Sequence, residues 1–173
     1  MLCVRLNPVP FPQDRIGAVL AENGICVNRY AEIFMSHPSF STERTEAVTV
    51  VAASLAQIGL PAGATLDELF RYLPGTGLNP CPPWTGLFLR LAWRDQAESV
   101  NSVLTGTHTA PDRAVTVLSE PLEDDDAFPK GLYLRRVDGK LWLRGYICDG
   151  TYRFPPDALF AVVPYKFQSK SWI

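Results

Sequence analysis

Between Leu132 and Tyr146 the chain reads LYLRRV-DG-KLWLRGY, two runs that alternate apolar with polar or charged positions around Asp138-Gly139. Alternation with period two predicts strands with one buried face. Asp-Gly favours a two-residue turn whose central residues both take positive φ. Such a loop sets the register: Val137 faces Lys140, Arg136 faces Leu141, Arg135 faces Trp142 and Leu134 faces Leu143. Side chains alternate across the pleat, so Leu132, Leu134, Leu141 and Leu143 share one face. Tyr133, Arg135, Trp142, Arg144 and Tyr146 share the other. The leucine face is the expected core side.

GLFLRLAWR, from Gly86 to Arg94, alternates in the same way and predicts a further strand. It would put Leu87, Leu89, Leu91 and Trp93 on one side, and Phe88, Arg90 and Arg94 on the other. Val100–Thr105 and Ala114–Leu118 are short β-prone runs, and Leu159–Val163 reads as the last strand.

The first half carries a different pattern. Pro8, Pro10 and Pro12 keep the opening segment extended. Gln13 to Asn23 predicts a short helix with Ile16, Val19 and Leu20 on one face and Gly24 as its stop. Asn28 is a candidate N-cap for a second helix carrying Tyr30, Ile33 and Phe34, ended by Pro38. Residues 45–58 mix β-branched valines with an Ala-rich end, and most of the run is assigned to a helix. Thr65 and Glu68 have capping-box spacing ahead of Leu66, Leu69, Phe70 and Leu73, and Pro74-Gly75 closes that helix. The expectation is one α+β domain over residues 1–173. Short N-terminal helices (about 1–78) would pack on a C-terminal antiparallel sheet (about 84–173) with the Asp-Gly hairpin in it.

At 173 residues and 47% hydrophobic content, the chain is large enough to bury a core without disulfide or metal staples. A formal charge of −2 gives no global electrostatic reason to bind nucleic acid, although a local basic face is compatible with it. Cys3, Cys26, Cys81 and Cys148 are scattered and match no zinc spacing, so buried thiols in a reducing compartment are expected. No run approaches the ~20 apolar residues of a membrane span. The first residues carry no signal-peptide stretch, which predicts a cytoplasmic protein.

If the two alternating segments lie in one sheet with leucines inward, arginines and aromatic rings gather on the outer face. Guanidinium groups among rings can hold phosphate or carboxylate while a planar group stacks. The candidate contacts are Arg90, Arg94, Tyr133, Arg135, Trp142 and Arg144. The plainer reading is that these arginines stack on neighbouring rings without any ligand, or lie beneath a helix or partner.

Other chemistry is thinly represented. Cys81, set between Pro80 and Pro82, would need His108 and Asp95 or Asp112 to act as a nucleophile, and a small buried hydrophobe is the simpler role. His37 sits at a predicted helix end. Glu120, Glu123, Asp124, Asp125 and Asp126 form an acidic run without Ca²⁺-loop spacing, read as a solvated loop or a contact for a basic partner. No phosphate-cradling glycine loop, nucleophile elbow or zinc-protease motif occurs, which argues against an ATP-driven motor. No cofactor, metal site or catalytic set is predicted.

Residues 58–96 carry Gly59-Leu60, Gly63-Ala64-Thr65, Gly77-Leu78, Cys81-Pro82-Pro83, Gly86, Leu89-Arg90-Leu91 and Asp95-Gln96. This pattern resembles a group of small bacterial proteins of unknown function, with a weaker likeness at Leu141-Trp142-Leu143 and the last strand. In that group an acidic residue stands at the position of Trp84 and a proline at that of Leu87. The resemblance implies a bacterial cytoplasmic origin and supplies no site residues. The expected function is a non-catalytic binding or regulatory protein of the immunity, antitoxin-like or accessory kind, with a protein partner. The alternatives are a binder of nucleic acid or a small anion on the arginine–aromatic face, and a Cys/His-dependent enzyme.

Overall fold

The computed structural model describes residues 2–100 and 113–165. His108, Asp112 and most of the Val100–Thr105 run lie outside the described residues. Those described form eight strands: β1 (Cys3–Leu6), β2 (Ile25–Val27), β3 (Val48–Ser54), β4 (Leu78–Asn79), β5 (Val115–Val117), β6 (Gly131–Val137), β7 (Lys140–Tyr146) and β8 (Leu159–Pro164). The helices are α1 (Ile16–Glu22), α2 (Arg29–Met35), α3 (Leu55–Ile58), α4 (Leu66–Tyr72) and α5 (Thr85–Ala92).

Seven strands lie in the order β1-β3-β8-β5-β6-β7-β2, and β4 pairs with the end of β8. The sheet is mixed, not antiparallel: β5 runs parallel to β8 and β2 parallel to β7. The division into a helical half and a sheet half also fails, because β1, β2, β3 and β4 come from the first half of the chain.

The hairpin forms in the expected register, from Val137 opposite Lys140 to Gly131 opposite Tyr146. Asp138 and Gly139 have φ of 51° and 73°, the geometry their turn type demands.

Two elements differ from expectation. The valines of residues 45–58 prevail over the alanines, and Val48–Ser54 is a strand with Val48, Val50 and Ala52 buried on one side. Helix starts only at Leu55, where Ser54 accepts from the Gln57 amide and the Gln57 side chain accepts from the Ser54 amide. This reciprocal cap covers one turn.

The second correction is larger. Gly86–Arg94 is not a strand: Thr85–Ala92 is helix α5. Its alternation carries no strand information because Thr85 through Arg90 are all buried, whichever way they point. Pro82 accepts from the Thr85 amide at 3.0 Å, and the Pro82-Pro83 pair suits the chain just ahead of a first turn. Gly86 lets the helix approach the sheet: a Cβ there would meet Leu132 at 3.0 Å and Val117 at 3.5 Å.

The sheet is covered on two sides. On the first, which we call face one, α1, α2 and α5 bury a core including Leu20, Phe34, Val50, Leu87, Leu89, Leu132, Leu134 and Leu143. On face two, α3, α4 and Phe154 bury Leu55, Leu69, Leu118, Phe160 and Val162. In α2 the buried stripe is Ala31, Phe34 and Met35, while Tyr30 is exposed.

Asn28 joins α2 to the sheet. Its Oδ1 accepts from the Ala31 amide at 3.0 Å and from the Gly145 amide at 2.8 Å, and its Nδ2 donates to the Gly145 carbonyl at 3.0 Å. One side chain therefore caps the helix and continues the β2–β7 ladder. The close approach needs glycine, since a Cβ on residue 145 would lie 2.4 Å from the Tyr30 carbonyl carbon. Gly145→Ala is expected to cost about 2–3 kcal/mol, because the obstructing atoms are backbone. Urea unfolding that shows no loss would refute this account of the α2–β7 contact.

Candidate functional site

The hairpin register places Tyr133, Arg135 and Val137 of β6 and Trp142, Arg144 and Tyr146 of β7 together on face two. Cys26 of β2 stands opposite Trp142 and Thr116 of β5 opposite Tyr133, extending the same surface. Lys140, paired with Val137, adds an exposed cation at the hairpin end.

This surface changes character along β6 and β7. At one end Tyr146 packs edge-on to Phe154, at 6.2 Å between ring centroids, and Tyr133 edge-on to Tyr146 at 6.3 Å. Burial pushes both phenols up, that of Tyr146 far above the tyrosine range. Beyond them lie the cations. Arg144 stands over the Trp142 ring with its guanidinium carbon 5.3 Å from the ring centroid. Tyr133, Trp142 and Arg144 are half-buried, whereas Arg135 is 2% exposed.

The hydrogen bonding of these two arginines is incomplete. Arg135 Nη2 donates to the Val100 carbonyl at 2.6 Å, while its Nε is buried without an acceptor. Arg144 Nε is also buried without an acceptor. No carboxylate among the described residues pairs with either, although Arg136 finds Glu98 at 3.1 Å. Arg136 points to face one. Buried polar groups without partners are uncommon, and each asks for an explanation.

Arg90 and Arg94 do not join this surface. They belong to α5 and the residues after it, on face one. Arg90 is fully buried; its Nη1 donates to Gln96 Oε1 at 2.6 Å and its Nη2 to the Trp93 carbonyl. Burial, with Arg94 and Arg136 nearby, pushes its guanidinium down to about 10. Gln96 in turn donates to the carbonyls of Arg113 and Leu134 at 3.0 and 3.1 Å. This network fastens α5 to the end of β5 and to β6, which makes Arg90 structural. Exposed Arg94 donates to the Asn23 carbonyl at 2.8 Å.

The residues after α5 also close the open edge of β6 past the end of β5. Ser99 donates its amide to the Arg136 carbonyl at 2.8 Å, and Glu98 Oε1 accepts from the Gly139 amide at 2.9 Å. An edge left bare would invite foreign strands. Nothing in the local pattern of residues 95–100 marks this role; the signal is only visible once β6 is placed.

Cys81 is buried, its Sγ 3.4 Å from the Ala161 carbonyl, and burial pushes its thiol up to about 12. A thiolate nucleophile needs the opposite environment. The other three cysteines are free as well, Cys3 exposed and Cys26 and Cys148 half-buried, so the thiols are not uniformly interior.

The acidic run is exposed throughout, as a solvated loop is, and three of its members have partners. Glu123 Oε1 accepts from His37 Nε2 at 2.8 Å, and Asp125 accepts the Ala127 amide at 2.9 Å. Asp126 lies 3.3 Å from Lys130 Nζ. His37 Nδ1 accepts from the Ser39 amide at 3.1 Å, so the ring proton sits on Nε2. Together with Asp67, Cys148 and Asp149, this loop lines a cleft of about 360 Å³. Among the described residues no group of three or more His, Cys, Asp or Glu side chains is disposed to hold a metal ion.

Comparison of the chain with protein-family models, curated proteins and solved structures gives no significant match. No helix among the described residues is long and apolar enough to cross a membrane.

Two outcomes follow from the geometry. Gln96→Leu takes the acceptor from the buried Arg90 Nη1 and the donor from the Arg113 carbonyl and the buried Leu134 carbonyl, and is expected to cost about 3–5 kcal/mol. Adding Arg90→Met is expected to recover part of that loss, since the two side chains act as one unit. Strictly additive costs in a denaturation cycle would break the coupling. Iodoacetamide at neutral pH is expected to alkylate Cys3 readily and Cys81 only after unfolding. Early modification of Cys81 by peptide mapping would contradict its burial.

Proposed function

We propose that the chain is a non-catalytic binding protein whose contact surface is the half-buried Tyr133, Trp142 and Arg144 on face two, with the buried Arg135 beside them. One observation carries the reading: the helices packed on β6 and β7, α2 and α5, both lie on face one. Face two is apolar and helix-covered over β3 and β8; over β6 and β7 it carries the half-buried Tyr133, Trp142 and Arg144 beside the buried Arg135. A sheet whose sole task is to complete a core has no use for cations there. Rings and arginines are the residues that dominate contact surfaces, because they bury large area with little side-chain entropy.

Cys81's burial and high thiol pKa weigh against the Cys/His enzyme. A packed core without a catalytic set, the arginine–aromatic face and the acidic loop support a binding or regulatory module of the immunity, antitoxin-like or accessory kind, and the resemblance of residues 58–96 to small bacterial proteins supports a bacterial cytoplasmic setting for it. The test is retention from a bacterial extract by wild type and by Trp142→Ala/Arg144→Ala, with fold checked by circular dichroism. Wild type is expected to retain a component, identified by mass spectrometry or absorbance at 260 nm, that the folded variant loses. Identical eluates would overturn the assignment of this face.

A further inference from the structure

We infer that the group bound on this face is a single oxyanion of a small molecule, a phosphate monoester or a carboxylate, held between Arg135 and Arg144. This rests on the binding reading just given and names its ligand class. Register puts Arg135 opposite Trp142 and Arg144 opposite Tyr133, so the two arginines are diagonal neighbours on one face. Diagonal Cβ atoms on paired strands are separated by roughly 7–8 Å, within reach of long side chains meeting over one ligand. The Tyr133 phenol senses both guanidinium groups, which oppose the effect of its burial. Both guanidinium groups and the phenol therefore belong to one patch of face two.

No carboxylate among the described residues compensates the charge there. Arg135 is 2% exposed, and its acceptor among the described residues is the neutral Val100 carbonyl. Arg144 has the Trp142 ring beneath it and no acceptor for its buried Nε. Arg90 also leaves its Nε unmatched, but both of its Nη atoms are engaged. A buried cation beside a half-buried one, with no carboxylate among the described residues paired to either, is costly, and an anion met by Arg144 from the solvent side and backed by the charge of Arg135 offsets that cost. Arginine is suited to this, since its planar fork matches the oxygens of carboxylate and phosphate.

A nucleic-acid strand fits less well. Polyanion binding draws on a row of exposed cations that each neutralise one phosphate. Here one of the two central cations is buried, and beyond them, among the described residues, Lys140 alone stands exposed on the hairpin's side of this face. The chain as a whole is at −2.

The test is titration of the full chain at constant ionic strength with inorganic phosphate, methyl phosphate and succinate, against chloride, by calorimetry and tryptophan fluorescence. Saturable binding of a phosphate or of succinate, absent with chloride, is expected, and the better arm identifies the oxyanion. Arg144→Gln and Arg135→Lys are each expected to weaken it roughly 10- to 100-fold, with Lys140→Gln near wild type. Arg135→Lys keeps the buried charge but removes Nε, so a fold failure in one variant leaves the other informative. No saturable anion binding would overturn the inference. So would an oligonucleotide that binds more tightly as it lengthens. If the extract component is retained while no anion binds, the ligand class falls and the binding surface stands; if neither is seen, both fall.

Discussion

β8 gives the sheet no solvent-facing side at its centre. Phe160, Ala161 and Val162 are all inaccessible, with Phe160 and Val162 in the core of face two and Ala161 in that of face one. The strand also lies between β3 and β5, so its backbone ladder is filled on both edges. Covering such a strand requires helices on both sides, and they come from different parts of the chain: α1, α2 and α5 on one, α3 and α4 on the other. The helical cover on face two ends before β6 and β7, where Tyr133, Trp142 and Arg144 are half-buried and Arg135 is enclosed with the Val100 carbonyl bonded to it. The proposed surface is thus a consequence of where the second layer stops.

Local chemistry announces an element when the signal does not depend on what packs against it. The Asp138-Gly139 turn, the Asn28 cap and the Thr65–Glu68 box are of this kind, and each forms as read. In the box, the Thr65 hydroxyl accepts from the Glu68 amide and the Glu68 carboxylate accepts from the Thr65 amide. Backbone and side-chain stereochemistry within a few residues decides them. Periodicity is a weaker guide, because it reports which positions face the core only if half of them do not. In α5 nearly every position is buried, so alternating leucines read as a strand. Residues 45–58 hold two elements in one window, and a single assignment had to lose one of them. β2, three residues long and joined in parallel to β7, offers no pattern long enough to detect.

The candidate site was legible to the same extent. Everything that follows from hairpin register, namely Tyr133, Arg135, Trp142 and Arg144 on one face, is present. Everything that needed α5 to be a strand, namely Arg90 and Arg94 beside them, is not. Burial was the part that register could not supply. The pattern placed Arg135 outside the leucine core, yet it is almost wholly enclosed, with the Val100 carbonyl bonded to it.

Comparison of Arg90 with Arg135 shows why enclosure matters. Both are arginines inside the protein, where a cation is tolerated only if nearby dipoles or charges replace water. Arg90 has Gln96, an amide held in place by its own bonds to two carbonyls, and a second carbonyl from Trp93 at the end of its helix. That arrangement is complete enough to serve as a joint between α5 and the sheet. Arg135 has one carbonyl, and its neighbour Arg144 has an aromatic face. A folded chain that gathers two cations and supplies acceptors for so few of their donors carries an electrostatic deficit at that spot. An external anion is the simplest thing that would correct it. Cation–π contact accounts for Arg144 on Trp142, but leaves Arg135, the more deeply buried of the two, without a counter-charge among the described residues.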